Sequence, residues 1–322
     1  MLIEKSKTYK GEELAKLFFR PSFTGPSAEE MGIRVLYNMP MPTIVHTWKK
    51  NDNVLQEYSS GWTGQCRTSR DEQTIYMRKV KAESSFSAAD YFTRVYEKLV
   101  CDGHYNMGDL SGTELEAAET ELFRRSIAEA VRATMWCGDM YGRISNLSTF
   151  NGFLYQIDKA IDAEEDIAYD TLAAGEPMPS SHQIFSTVWE QASPELKSLL
   201  SEGNLALFVT SDIYHNFIAE LDDKGTDSAY RDFINGHEKL AYHGIPIIEV
   251  PLSKYMTGKY STFAILTDRR NLVLALNTAD MPDTEVRMWY NPDEMENRQR
   301  ACFLAGTHVI DTNSISIFYN EE

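Results

Sequence analysis

Residues 235–244 read NGHEKLAYHG, and His237-Glu238 with His243 close behind has the residue types of a zinc-binding helix. Such a helix needs histidines at i and i+4, because that spacing turns both imidazoles to one side. Here Ala241 stands at i+4, and His243, at i+6, points about 240° around the axis at roughly 100° per residue. Gly244 and Pro246 end any helix at once. The spacing excludes a shared metal on a helix and predicts a polar turn. Gly258-Lys259 in SKYMTGKYS fails as a phosphate loop: Ser253 replaces the first glycine of GxxxxGK[ST], and Tyr260 replaces the hydroxyl residue. The acidic runs DAEEDIAYD (162–170) and DDKGTD (222–227) lack the calcium-loop register, so they read as solvated charge. His46, His104, His182, His215 and His308 are scattered, and Trp289-Tyr290 and Trp62 read as core or interface residues. No local motif gives a catalytic, cofactor or metal site.

The composition narrows the function classes. With 43% apolar and 25% charged residues, the 322-residue chain is an ordinary folded protein able to bury a large core. A net charge of −17 argues against sequence-specific nucleic-acid binding, which needs clustered cations to release counterions. Cys66, Cys101, Cys137 and Cys302 lie far apart with no CxxC pair, a pattern of reduced thiols. No window reaches the ~18 apolar residues that span a bilayer, and the first residues lack a signal-peptide core. The expectation is a protein made in the cytoplasm, with no membrane partner.

The elements are more informative than the motifs. Residues 1–30 form a polar arm with a short helix candidate broken by Pro21 and Pro26. IRVLYNMPMPTIVHTW and IYMRKVKAE are strand-like and flank a long polar stretch, which predicts an extended hairpin projecting from the body. A helix is expected over roughly 88–101. A longer one runs from the capping box Thr113-x-x-Glu116 to Gly138, about 35 Å at 1.5 Å per residue. Its expected apolar stripe is Leu115, Leu122, Phe123, Ile127, Ala130, Val131 and Thr134. From 141 to 260 short helices and strands alternate: FNGFLYQIDKAI a turn and helix, SSHQIFSTVWEQASPELKSLL a helix with a proline break, NLALFVTSDIYHNFIAEL a buried strand running into a helix, and GIPIIEVPL a strand. Residues 262–319 return to strands, and the alternation in EVRMWY and SISIFY predicts sheets with one covered face.

This order of elements resembles the major capsid proteins of tailed bacteriophages, the Hong Kong 97-type fold. RRSIAEAVRATMWCGD (124–139) looks like the end of that family's spine helix, and FNGFLYQID (150–158) like the turn and helix that open its axial domain. LALFVTSDIYHNFIAEL followed by GHEKLAYHGIPIIEVPLS is similar to its strand–helix unit, polar insertion and next strand. NRQRACFLAGTHVIDTNSISIFY looks like its closing strands. The resemblance implies an α+β fold with an N-terminal arm (1–32), an extended hairpin loop (33–87), peripheral helices including the spine (88–140), an axial domain (141–260) and closing strands of the peripheral domain (261–322).

It also implies a structural subunit without enzymatic activity or cofactor. Such a subunit self-assembles through hexamers and pentamers into an icosahedral shell around DNA, and is incorporated in the virion after synthesis in the host cytoplasm. Expected partners are further copies, a scaffolding protein, the portal and a prohead protease. Expected intersubunit residues lie in the loop: Trp48, Lys49, Lys50, Gly61 and Trp62. Some family members cross-link through a loop lysine, but no partner for Lys49 or Lys50 is evident and no such chemistry is assigned. The early start of the spine helix leaves no room for an N-terminal scaffolding segment, which implies a separate scaffold or a mature form. Two other readings stay open on the residues alone: a cytoplasmic hydrolase with dispersed catalytic residues, and an accessory phage structural protein.

Overall fold

The computed structural model describes residues 28–40, 42–49, 60, 69–87, 114–142, 145–173, 175–223, 240–252, 254–255, 259–277 and 287–321. His237, the helix expected over 88–101 and the capping residue Thr113 lie outside them.

Two sheets and a ribbon organise these residues. β1 (Arg34–Tyr37), β4 (Arg78–Ser87), β10 (Leu272–Asn277), β11 (Arg287–Asn291) and β12 (Glu296–Val309) form a five-stranded sheet. β12 is long enough that one edge carries β4 over 296–305, while the other carries β11 over 296–300 and then β10 over 304–309. β5 (Ala168–Leu172), β6 (Leu205–Thr210), β7 (Ala241–Tyr242), β8 (Ile245–Val250), β9 (Phe263–Asp268) and β13 (Ile315–Asn320) form a mixed six-stranded sheet in the order β5-β13-β9-β6-β8-β7. β2 (Thr43–Lys49) and β3 (Ser69–Ile75) pair antiparallel as a separate ribbon.

The segment 261–322, expected as one set of closing strands, divides between the sheets. β9 turns through Arg269–Asn271 into β10 and so changes sheet, and β12 and β13 part in the same way through Thr312–Ser314. Asn271 holds this crossing together: its Nδ2 donates to Asp311 O at 2.8 Å, and its Oδ1 accepts from Asp311 N at 2.7 Å.

α1 (Glu114–Cys137, 24 residues) carries the core. Phe123, Ile127, Val131 and Thr134 are buried as the periodicity predicts, but Leu122 and Ala130 face out. The reason is packing: the last turns lie between the two sheets and are buried all round over Val131–Trp136, so the stripe follows that wedge rather than one straight line. Trp136 sits at its tip, with ring centroids 5.4 Å from Phe153, 5.4 Å from Phe208 and 5.7 Å from Phe263.

α2 (Phe153–Asp162) starts directly against the end of α1. Gly152 N donates to Gly138 O at 2.7 Å, and a Cβ on Gly152 would lie 2.6 Å from Trp136 O and 2.7 Å from Thr134 O. Only glycine lets these backbones meet so closely. Gln156 on α2 then ties down β12, donating to Thr307 O at 3.0 Å and accepting from Val309 N at 3.0 Å.

The other face of the six-stranded sheet is covered by α3 (Ser181–Gln191) and α5 (Ser211–Asp223), against Leu205, Leu207, Ile247, Leu266 and Phe318. A capping box, Ser180 with Gln183, starts α3, and Pro194 at the first turn starts α4 (Pro194–Ser198). With helices on both faces, β13 is not the half-covered strand that SISIFY suggests: Ile317 is buried on one side, and Ser316, 0% exposed, donates to Val188 O at 2.7 Å on the other.

Candidate assembly surfaces

The ribbon is fixed at its root by three devices. Ile75 and Met77 pack with Val273, Ala275 and Leu304 into a small satellite core on the five-stranded sheet. Where the chain passes from β3 to β4 it crosses β12 at Gly306, and a Cβ there would strike Tyr76 O and lie 3.1 Å from Met77 Cα. Gln73 Nε2 donates to Ile310 O at 2.6 Å, which fixes the amide so that its Oε1 accepts from His308 Nε2 at 2.9 Å. Burial holds the His308 imidazole below its usual pKa, and the Gln73 oxygen facing it calls for a proton on Nε2.

The ribbon's other face is open. Ile44 on β2 is 51% exposed and Tyr76, at the root, 71%. Both are large apolar side chains on the side turned away from the body. Among the residues predicted for intersubunit contact, the backbones of Trp48 and Lys49 pair with Arg70 and Ser69 across the ribbon. Lys50, Gly61 and Trp62 lie outside the described residues. Sequence reading missed Ile44 and Tyr76, which look like ordinary strand residues until the register shows which face is covered.

A second open surface lies at the far end of the five-stranded sheet. Residues 301–307 of β12 are buried throughout, whereas from Glu296 to Arg300 burial alternates with exposure. There the side of Asn297 and Gln299 is buried, in line with Ala301 and Phe303 of the core, and the other faces water. On that open face Trp289 of β11 lies opposite Arg298, beside a hollow of about 310 Å³ lined by Glu83, Ser84, Ser85, Trp289, Arg298 and Gln299. Lys81 contacts Glu83 at 2.8 Å, and Arg298 pairs with Glu294 and, at 3.8 Å, Glu296.

The groups with displaced ionisation elsewhere are bound up in packing. Lys259 Nζ and Tyr260 OH both donate to Asp158 Oδ1, at 2.5 and 2.9 Å, and the Tyr260 ring lies 4.5 Å from Tyr319. Burial first, and then Asp158, push the Tyr260 hydroxyl well above its ordinary range. Tyr255 OH donates to Glu129 at 2.5 Å, and burial with this bond pushes it up to about 12. Burial likewise pushes the Cys137 thiol up to about 12, which removes the thiolate that nucleophilic chemistry would need. His243 sits at positive φ (48°) in the β7–β8 turn, its ring 4.3 Å from Tyr242. Among the described residues no three His, Cys, Asp or Glu side chains are grouped to hold a metal, and no helix is long and apolar enough to cross a membrane.

No protein-family model and no curated protein matches the sequence. Solved structures do match the fold. A chain of the satellite phage P4 procapsid, in a structure including the size determination (Sid) protein, aligns with a TM-score of 0.53 at 10% identity over 90% of this chain and 94% of its own. One from Gordonia phage Cozz gives 0.53 at 11% identity over 100% and 90%. A capsid chain of the native GTA particle gives 0.52 at 14% identity over 100% and 96%. The protein has an α+β fold shared with these chains along nearly its whole length.

Proposed function

We propose that this protein is the structural major capsid subunit of a phage or prophage, self-assembling through hexamers and pentamers into an icosahedral shell around DNA. The observation that carries this reading is the fold of a procapsid chain and a capsid chain, matched over 90% and 100% of this chain rather than over one embedded module. A shell subunit needs surfaces that tile, and obligate interfaces of this kind bury about 2,000 Å² or more. The ribbon with exposed Ile44 and Tyr76 and the half-covered end of β12 are surfaces of the required kind. The net charge of −17 suits a container that must not adhere to the DNA inside it.

In this reading the details are those of the Hong Kong 97-type fold. β2–β3 and the residues between them are the extended loop, α1 is the spine, and the five-stranded sheet is the peripheral domain. The six-stranded sheet with α3 and α5 is the axial domain, so 261–322 serves both. Trp48, Lys49, Lys50, Gly61 and Trp62 contact a neighbouring subunit. The subunit is non-enzymatic, carries no cofactor and resides in the virion, with scaffolding protein, portal and protease as transient partners. Electron microscopy of the purified protein tests the reading: shells, rings or capsomers are expected, and a monomer at every concentration and ionic condition would overturn it.

A further inference from the structure

β4 is an edge of the five-stranded sheet. It pairs with β12 in one unbroken antiparallel register, from Arg78 opposite Ala305 to Ser87 opposite Glu296. Among the described residues no strand pairs with its other side. Alternate residues along its ten therefore turn their N–H and C=O groups away from β12. An open edge of this length is a template for another strand, and proteins blunt such edges with prolines, bulges or charges. β4 has neither proline nor bulge. It does carry charge: Arg78, Lys79, Lys81 and Glu83 are exposed, as are Ser84 and Ser85.

The order of those charges decides what can pair. The register with β12 puts Lys79, Lys81, Glu83 and Ser85 on the face of Arg298 and Arg300, and Val80, Ala82, Ser84 and Phe86 on the other. Lys81 contacts Glu83 at 2.8 Å, and Arg300 lies 3.6 Å from Glu83. Two copies of β4 can run antiparallel about a two-fold axis normal to the sheet. Each face then stays on its own side, so the axis passes through a residue that meets its own copy. With Lys81 on the axis two lysines meet, and with Glu83 there two glutamates meet; like charges directly opposite are destabilising. With Ala82 on the axis, Lys81 faces Glu83 of the second copy and Glu83 faces its Lys81, while Lys79 faces Ser85 and Val80 faces Ser84. This register makes two pairs of opposite charge and none of like charge, and it overlaps residues 78–86 completely.

We propose that β4 of one copy pairs antiparallel with β4 of a second copy about a two-fold axis at Ala82, joining two five-stranded sheets into one. The contact is isologous, so each charge pair occurs twice. Main-chain hydrogen bonds supply the attraction, and the Lys81–Glu83 pairs set the register and the choice of partner. It rests on the reading of the protein as a self-assembling subunit and names one of the contacts that such assembly uses. A strand of unrelated sequence would gain the same main-chain bonds without the matching charges, and Glu83 among the lysines repels a polyanion. The charge order favours a second copy.

Charge reversal read in trans tests it. Lys81→Glu gathers four carboxylates around the axis, and Glu83→Lys gathers four ammonium groups. Each variant alone should need about tenfold more protein than wild type to assemble, as read by light scattering. An equimolar mixture of the two variants restores both opposite-charge pairs wherever unlike copies meet, and it should assemble close to the wild-type concentration. The pairing of Lys81 with Glu83 inside one chain gains nothing from mixing, so rescue in trans separates a contact between copies from a role within one. Thermal unfolding of each variant should match wild type, which separates a lost contact from a lost fold. Variants that assemble as wild type does would overturn the contact and leave the capsid reading standing. A mixture no better than either variant alone would overturn it equally and assign the β4 edge to a different strand. A wild-type protein that never assembles would overturn the capsid reading itself, and this contact with it.

Discussion

The two sheets of this protein are finished to different degrees. The six-stranded sheet has helices on both faces, and β6 and β9 are buried along their entire length. The five-stranded sheet is complete only where β10 joins β12; toward β11 one face is open, and the ribbon rooted beside it shows Ile44 and Tyr76 to solvent. A sheet covered on both sides contributes to the stability of one chain. A sheet left half covered, with Trp289 and paired charges on its open side, adds one buried face to the chain's own core and, in the proposed reading, leaves the other for a neighbouring subunit. Stability and assembly are thus separable, and substitutions in the two regions should separate them.

The largest effect belongs to the covered region. Trp136→Ala removes the ring on which Phe153, Phe208 and Phe263 converge and should cost about 3–5 kcal/mol by chemical denaturation. Trp136 Nε1 has no hydrogen-bond partner among the described residues, so Trp136→Phe should cost far less. A loss confined to assembly, with stability unchanged, would contradict the division.

Gly152→Ala should follow, costing about 1–3 kcal/mol, because the methyl group meets backbone from α1 on more than one side and neither helix can retreat without opening the core.

A smaller effect is expected at the ribbon root. His308 has a lowered folded-state pKa, so below its unfolded value of 6.5 the unfolded chain binds a proton that the native chain refuses. The His308 contribution to stability is full above that value and is lost as pH falls from 6.5 toward and through the folded pKa. His308→Gln keeps a side-chain amide able to donate to Gln73 and should flatten this part of the stability–pH curve; an unchanged curve would show that His308 does not report on the root.

Least costly to the fold are changes on the open surfaces. Trp289→Ala and Tyr76→Ala should shift unfolding by no more than about 0.5 kcal/mol, yet impair assembly measured by light scattering. Trp62→Ala should behave in the same way if the ribbon reaches a neighbour as proposed.

How much of this was legible in the sequence depended on whether the signal was local. Gly138 ends α1 where the glycine predicts, Pro194 divides the helical segment 181–198, and LALFVTSDIYHNFIAEL becomes β6 and α5. These are caps, breakers and unbroken apolar runs, set by neighbours in sequence. Sheet membership was not legible, because FAILTD and LVLALN are equally apolar and equally buried yet belong to different sheets. The exposure of Leu122 depends on where α1 wedges between the sheets. For the candidate surfaces, the long polar spacer pointed to the ribbon, but its fixation could not be foreseen: Gln73 and His308 are 235 residues apart. Trp289 was ambiguous between core and interface because a two-residue alternation says that one face is open without saying which.

Hydrogen exchange on the same purified protein, once dissociated and once assembled, tests the central claim most directly, since it compares the two regions in a single measurement. Assembly should slow exchange in β2–β4, β11 and residues 296–300 while leaving β6, β9 and β13 as protected as before. Equal exchange in both samples across the ribbon and the open sheet face, in particles that electron microscopy shows to be shells, would contradict the account.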